Sequence, residues 1–94
     1  MNDDAYIGID QSPATAAQLW RVRRDIEDIR REYGVNAAKV SATYRHIDEC
    51  FIACGVPLTE MTKIEASGII DLIARERRSG EHRRIADELA SAAT

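Results

Sequence analysis

The sequence predicts an all-α fold, a small antiparallel bundle of three to four helices, from three observations. Apolar residues recur at spacings of three and four over long stretches, the mark of a helix with one buried stripe. Thr62 followed by Glu65 forms a capping box, which starts a helix. Five aromatics and five glycines among 94 residues that are 45% hydrophobic describe an aliphatic, alanine-rich chain with few strand signals.

The first eleven residues hold Asp3, Asp4 and Asp10 around Tyr6, Ile7 and Ile9. They form an N-terminal arm over 1–11, either an untethered tail or a strand that docks on a second copy. One helical domain over 12–94 follows. Its first helix, 13–33, opens at Ser12-Pro13 or at a second capping box, Thr15 with Gln18. Leu19, Val22, Ile26, Ile29 and Tyr33 make its seam, and Gly34 ends it. The opposite face alternates in sign, pairing Arg21 with Asp25, Arg23 with Glu27, Arg24 with Asp28 and Glu27 with Arg31 at i, i+4, which describes a solvated, self-neutralised surface.

The second helix is expected over 36–54, capped by Asn36 and stapled by Val35 against Val40. Val40, Tyr44, Ile47, Phe51 and Cys54 supply its stripe, and Gly55-Val56-Pro57 stops it. Two seams of equal length joined by a short link should pack as a hairpin. The third helix, 62–78, starts at the Thr62 cap with Met61 and Ala66 as its staple, and buries Ala66, Ile69, Ile70 and Ile73. Gly68 beside that stripe marks either a close approach by another helix or a surface glycine. Ser79-Gly80 breaks the helix, and a fourth segment over 81–92 presents His82, Ile85, Ala86 and Leu89.

The phrase Leu58-Thr59-x-x-Thr62-Lys63-x-Glu65-Ala66-Ser67-x-x-Ile70-Asp71-x-Ile73, with Ala14-Thr15-Ala16-Ala17-Gln18-Leu19 before it, resembles the small helical C-terminal module of phage single-strand-annealing recombinases and of short bacterial and phage proteins. In that module a Thr-x-x-Gln helix and a Leu-Thr-Lys-x-Glu-Ala-Ser helix bracket one compact unit. Gly68 and the inserted Glu60-Met61 depart from the pattern. The resemblance implies a docking role toward a partner protein of DNA recombination.

Chemistry-bearing residues narrow the function by what they lack. His46, Cys50 and Cys54 stand at i, i+4, i+8, but a zinc site wants four ligands and only His82 remains as a further nitrogen donor, so no metal is expected. His46 beside Asp48 and Glu49 lies on a regular helix with no glycine loop or second carboxylate cluster, so no catalytic residue, no cofactor and no enzyme are expected. Unbridged cysteines four apart on a helix suit a reducing cytosol, and no apolar run is long enough to cross a membrane, so a cytoplasmic protein without membrane contact is expected. A homodimer would supplement so small a core.

The net charge of −3 does not favour charge-driven nucleic-acid binding. Locally, Arg75, Arg77, Arg78, Arg83 and Arg84 crowd a helix break against few carboxylates, and with Trp20 they are the expected partner-binding residues. One step off the seam, Trp20 is either core edge or an exposed anchor, and the only tryptophan of a small domain is more often core. No aromatic residue interleaves the arginines for base stacking. The function expected is a non-enzymatic protein-binding module, phage or mobile-element encoded, docking onto a partner of recombination or nucleic-acid handling. The alternatives are an anti-CRISPR-like inhibitor that blocks a host nucleic-acid-processing effector complex, and direct nucleic-acid binding through the arginine cluster.

Overall fold

Thr15 accepts the Gln18 amide at 3.1 Å through its hydroxyl, and the Gln18 side chain accepts the Thr15 amide at 3.0 Å, so the later of the two candidate starts opens the first helix. This is helix α1, Ala16–Tyr33, in a computed structural model that describes residues 12–93; the arm over 1–11 lies outside the described residues. Leu19, Val22, Ile26 and Ile29 are buried as its periodicity requires, with Tyr33 half-buried. Gly34 ends it at φ 56°, returning its amide to the Arg30 carbonyl.

The expected helix over 36–54 is not continuous. A 3-10 turn, Gly34–Asn36, leads into a single turn of helix α2, Ala37–Val40, and Asn36 makes no side-chain cap. Val35 is 98% exposed, so the staple with Val40 does not form. At Ser41 the backbone extends to φ −126°, ψ 112°, and the Ser41 hydroxyl caps a new helix α3, Ala42–Ile47, by accepting the Tyr44 amide at 3.0 Å. A π-helical turn, Asp48–Ile52, continues α3 to the stop at Gly55.

The wider π turn alters the register at the end of the stripe. Val40, Tyr44, Ile47 and Phe51 stay buried, whereas Cys54, expected on the stripe, is exposed. The stripe thus survives a chain that bends twice beneath it.

Helix α4, Lys63–Arg78, begins at the expected capping box, with reciprocal bonds of 2.9 and 3.2 Å between Thr62 and Glu65. Met61 before the cap and Ala66 within the helix have no exposed surface, and Ile69 and Ile73 continue the buried stripe. Gly80, at φ 72°, turns the chain into α5, Glu81–Ala93. Its Ile85, Ala86 and Leu89 pack partly against the core.

Two backbone bonds of 2.9 Å, Ala14 N–H to Met61 and Lys63 N–H to Ser12, clasp the residues before α1 to those before α4. The two capped N-termini therefore lie side by side, and pairing of Gln18 with Lys63 and of Asp25 with Arg77 shows that α1 and α4 run parallel. The α2 to π-turn stretch between them runs the other way, as up-down-up connection of an antiparallel bundle demands.

Candidate partner-binding surface

Asp25 falls three residues after Val22 and four before Ile29, on the apolar stripe of α1, and only 2% of its surface is exposed. A carboxylate there needs partners. Arg21, one turn earlier, and Arg77, from α4, each donate to its Oδ1 at 3.3 Å, while Oδ2 accepts nothing. Arg77 also reaches Asp28 at 4.0 Å, and Arg24 lies 3.9 Å from the same carboxylate. The alternating charges of α1 are therefore not simply a solvated face. Arg24–Asp28 and Glu27–Arg31 do pair there, but Asp25 has become the anchor of α4.

Trp20 sits next to this cluster and is 60% exposed, the exposed anchor of the two places open to it rather than the core or its edge. Its place one step off the stripe leaves it outside the core. The Arg24 guanidinium stacks over the indole at 5.3 Å. Trp20, Arg21, Arg24, Asp25, Asp28 and Arg77 together line a depression of about 270 Å³.

Arg77 also lines a larger depression, about 510 Å³, between the end of α1 and the start of α5. There it meets Arg83, Arg84 and Asp87 of α5, with Glu32 and Tyr33 supplied by the end of α1. Burial, and then a hydrogen bond to Glu32, push the Tyr33 hydroxyl above its ordinary value, while Arg83 and Arg77 act the other way. Of the expected partner residues, Arg77, Arg83 and Arg84 share this hollow and Trp20 joins Arg77 in the adjoining one. Arg75 and Arg78 are exposed on α4 and line neither. Among the described residues Arg75, Arg78, Arg83 and Arg84 form no ion pair.

A second polar cluster sets the α4–α5 angle. Glu76 receives the Ser41 hydroxyl at 2.6 Å, the amide and hydroxyl of Thr43, and His82 Nε2 at 2.7 Å. His82 is 5% exposed and meets Tyr33 edge-on, ring centres 5.8 Å apart. Burial raises the Glu76 carboxyl, but the bonds from His82, Ser41 and Thr43 outweigh it and hold the group below its ordinary value. Each donor is consumed inside the cluster, so its chemistry is structural.

Sequence reasoning missed Arg21, Arg24 and Asp25, although the position of Asp25 on the stripe was a signal. His82 was legible on the apolar face of the fourth segment, but Glu76 carried no such signal, because Ser41 and Thr43, which bind it, are remote in sequence. His46 and Cys50 approach to 3.7 Å, but among the described residues no group of three or more His, Cys, Asp or Glu side chains is placed to hold a metal. Among the same residues no helix is long and apolar enough to cross a membrane. The surface belongs to a small all-α protein whose exposed chemistry is guanidinium and indole. The chain matches no family model, no curated protein and no solved structure.

Proposed function

We propose that this protein is a non-enzymatic docking module that binds an acidic surface of a partner protein through Trp20, Arg21, Arg24, Arg77, Arg83 and Arg84. The observation that carries the proposal is the exposed Trp20 held under Arg24, joined through Arg77 to a second hollow in which Arg83 and Arg84 pair with no carboxylate among the described residues. Tryptophan and arginine dominate interface hot spots because each buries a large, rigid surface with a polar handle. Arginine forks match carboxylates in pairs. The resemblance to the annealing-recombinase module supports a partner engaged in recombination or other nucleic-acid handling; an inhibitor of a host effector complex would use the same surface.

One observation favours a second reading, nucleic-acid contact. An indole beside three guanidiniums can stack one base while phosphates meet the arginines. Affinity capture of the full-length protein from host lysate, with and without nuclease, separates the two. A defined protein complex that survives nuclease and is lost with Trp20→Ala, or with Arg83 and Arg84 both changed to Ala, is the expected result, and its composition distinguishes recombination partner from effector. Capture that vanishes with nuclease would replace the protein reading by direct nucleic-acid binding, whose affinity would fall steeply with salt.

A further inference from the structure

Helix α4 carries a second surface on the far flank of its buried stripe. At 100° per residue, Ile64, Gly68 and Leu72 fall on one side of Ile69 and Ile73, and Arg77 falls on the other. Ile64 is 53% and Leu72 47% exposed, an unusual cost for aliphatic side chains two turns apart on one line. Facing them across a groove of about 420 Å³ are Ala42 and His46 of α3, with Phe51 and Ile69 lining it as well. The π turn at Asp48–Ile52 carries Phe51 into this wall.

Gly68 is the opening of the groove. A Cβ built there meets nothing within 4 Å, so among the described residues no other helix makes the close approach that a mid-helix glycine permits. From Ile64 to Leu72 the line runs about 12 Å, the length of two helical turns. A facing helix can lay apolar residues of i, i+4, i+7 spacing along it.

Charge selects the occupant. Two carboxylates, Glu65 and Glu76, line the groove and no described Lys or Arg does; the stretch from His46 to Leu72 carries four more, Asp48, Glu49, Glu60 and Asp71, against the single ammonium of Lys63, with Arg45 just before it. All are exposed or half-buried. The arm over 1–11 contains three aspartates and no basic residue, so it would bring like charge to this region. A second copy paired groove to groove would do the same. We infer that the Ile64–Gly68–Leu72 groove is a docking site for a basic amphipathic helix of a partner protein, separate from the Trp20–arginine face.

Two synthetic helical peptides with the same leucine stripe test this, one with lysine and the other with glutamate at the remaining positions. Each is titrated into the full-length, 15N-labelled protein, and amide shifts and affinity are read together. The lysine peptide is expected to move amides of 42–51 and 64–72 and to bind at least about tenfold more tightly than the glutamate peptide. Gly68→Leu fills the groove from a position where the chain's own packing leaves space; it should weaken the lysine peptide by about tenfold or more without lowering the Tm. Gly68→Ala should keep the affinity within about threefold, as should Trp20→Ala. Equal binding of both peptides, shifts confined to the arginine face, or unchanged affinity in a folded Gly68→Leu protein would overturn the inference. Shifts at 64–72 that grow with protein concentration in the absence of peptide would seat a second copy there instead.

Discussion

Asp25 couples the core to the arginine face, and its energetics are uneven. Its Oδ1 is doubly bonded and its Oδ2 is unbonded, so part of its desolvation goes uncompensated. Asp25→Ala removes the anchor of Arg77 and should destabilise the fold by about 1–3 kcal/mol in urea unfolding. Asp25→Leu, which fills the same space with an apolar side chain, should recover much of that loss, because Arg77 can turn to solvent and Asp28. A Leu variant no more stable than the Ala variant would mean that the ion pair itself, not the filled volume, holds α1 to α4. Glu76 gives the other prediction at this scale. Its folded pKa lies below the ordinary value near 4.5, so the stability it contributes is fully present above that value and is lost as pH falls through the folded pKa. Glu76→Gln should lower stability at neutral pH, and the gap from the unaltered protein should close with acidification below about 4.5. A gap independent of pH would show that shape alone, without charge, makes Glu76 useful.

At the scale of the element, local grammar and long-range grammar part company. The boxes at Thr15–Gln18 and Thr62–Glu65, the stop at Gly34 and the stripes of α1 and α4 were all legible, because each is decided by residues within a turn of one another. The break at Ser41 was not. Val40, Tyr44, Ile47 and Phe51 keep a helical spacing straight through it, and what holds the extended Ser41 is a carboxylate 35 residues away. His82 was legible as part of the fourth segment's face, but not its bond to Glu76 across the Gly80 turn. For the candidate site, the arginine cluster was visible as charge density, but its division into two hollows by Arg77 required the fold. Glycine substitutions expose the contrast between positions. Gly80 adopts φ 72°, where a Cβ is strained, so Gly80→Ala should cost about 1 kcal/mol. Gly68 is helical with open space around it, so Gly68→Ala should gain up to about 1 kcal/mol. Denaturant midpoints of opposite displacement are expected; a loss at both positions would mean that α4 depends on Gly68 for packing not evident in its surroundings.

Across the whole molecule, charge is segregated against a nearly neutral total. Carboxylates gather from His46 to Leu72 and guanidiniums around the α4–α5 turn, while α1 sets five arginines against four carboxylates, so one acidic chain offers an anion-seeking face and a cation-seeking groove. Such a surface steers partners by sign and orientation more than by net charge. It also separates binding from folding, since the residues with the largest exposed area contribute least to the core. Trp20 is 60% exposed and stacks only on Arg24, so Trp20→Ala should change the unfolding free energy by no more than about 0.5 kcal/mol. Arg83→Ala and Arg84→Ala should be equally mild, whereas Arg77→Ala, which leaves Asp25 with Arg21 alone, should cost about 1–3 kcal/mol. If the arginine face is the docking surface, Trp20→Ala should nonetheless weaken partner binding by more than about 1 kcal/mol, roughly a fivefold loss or greater, in a protein of unchanged Tm. A Trp20→Ala protein that is markedly destabilised would place the indole in the service of the fold, and an unchanged affinity would remove it from the interface.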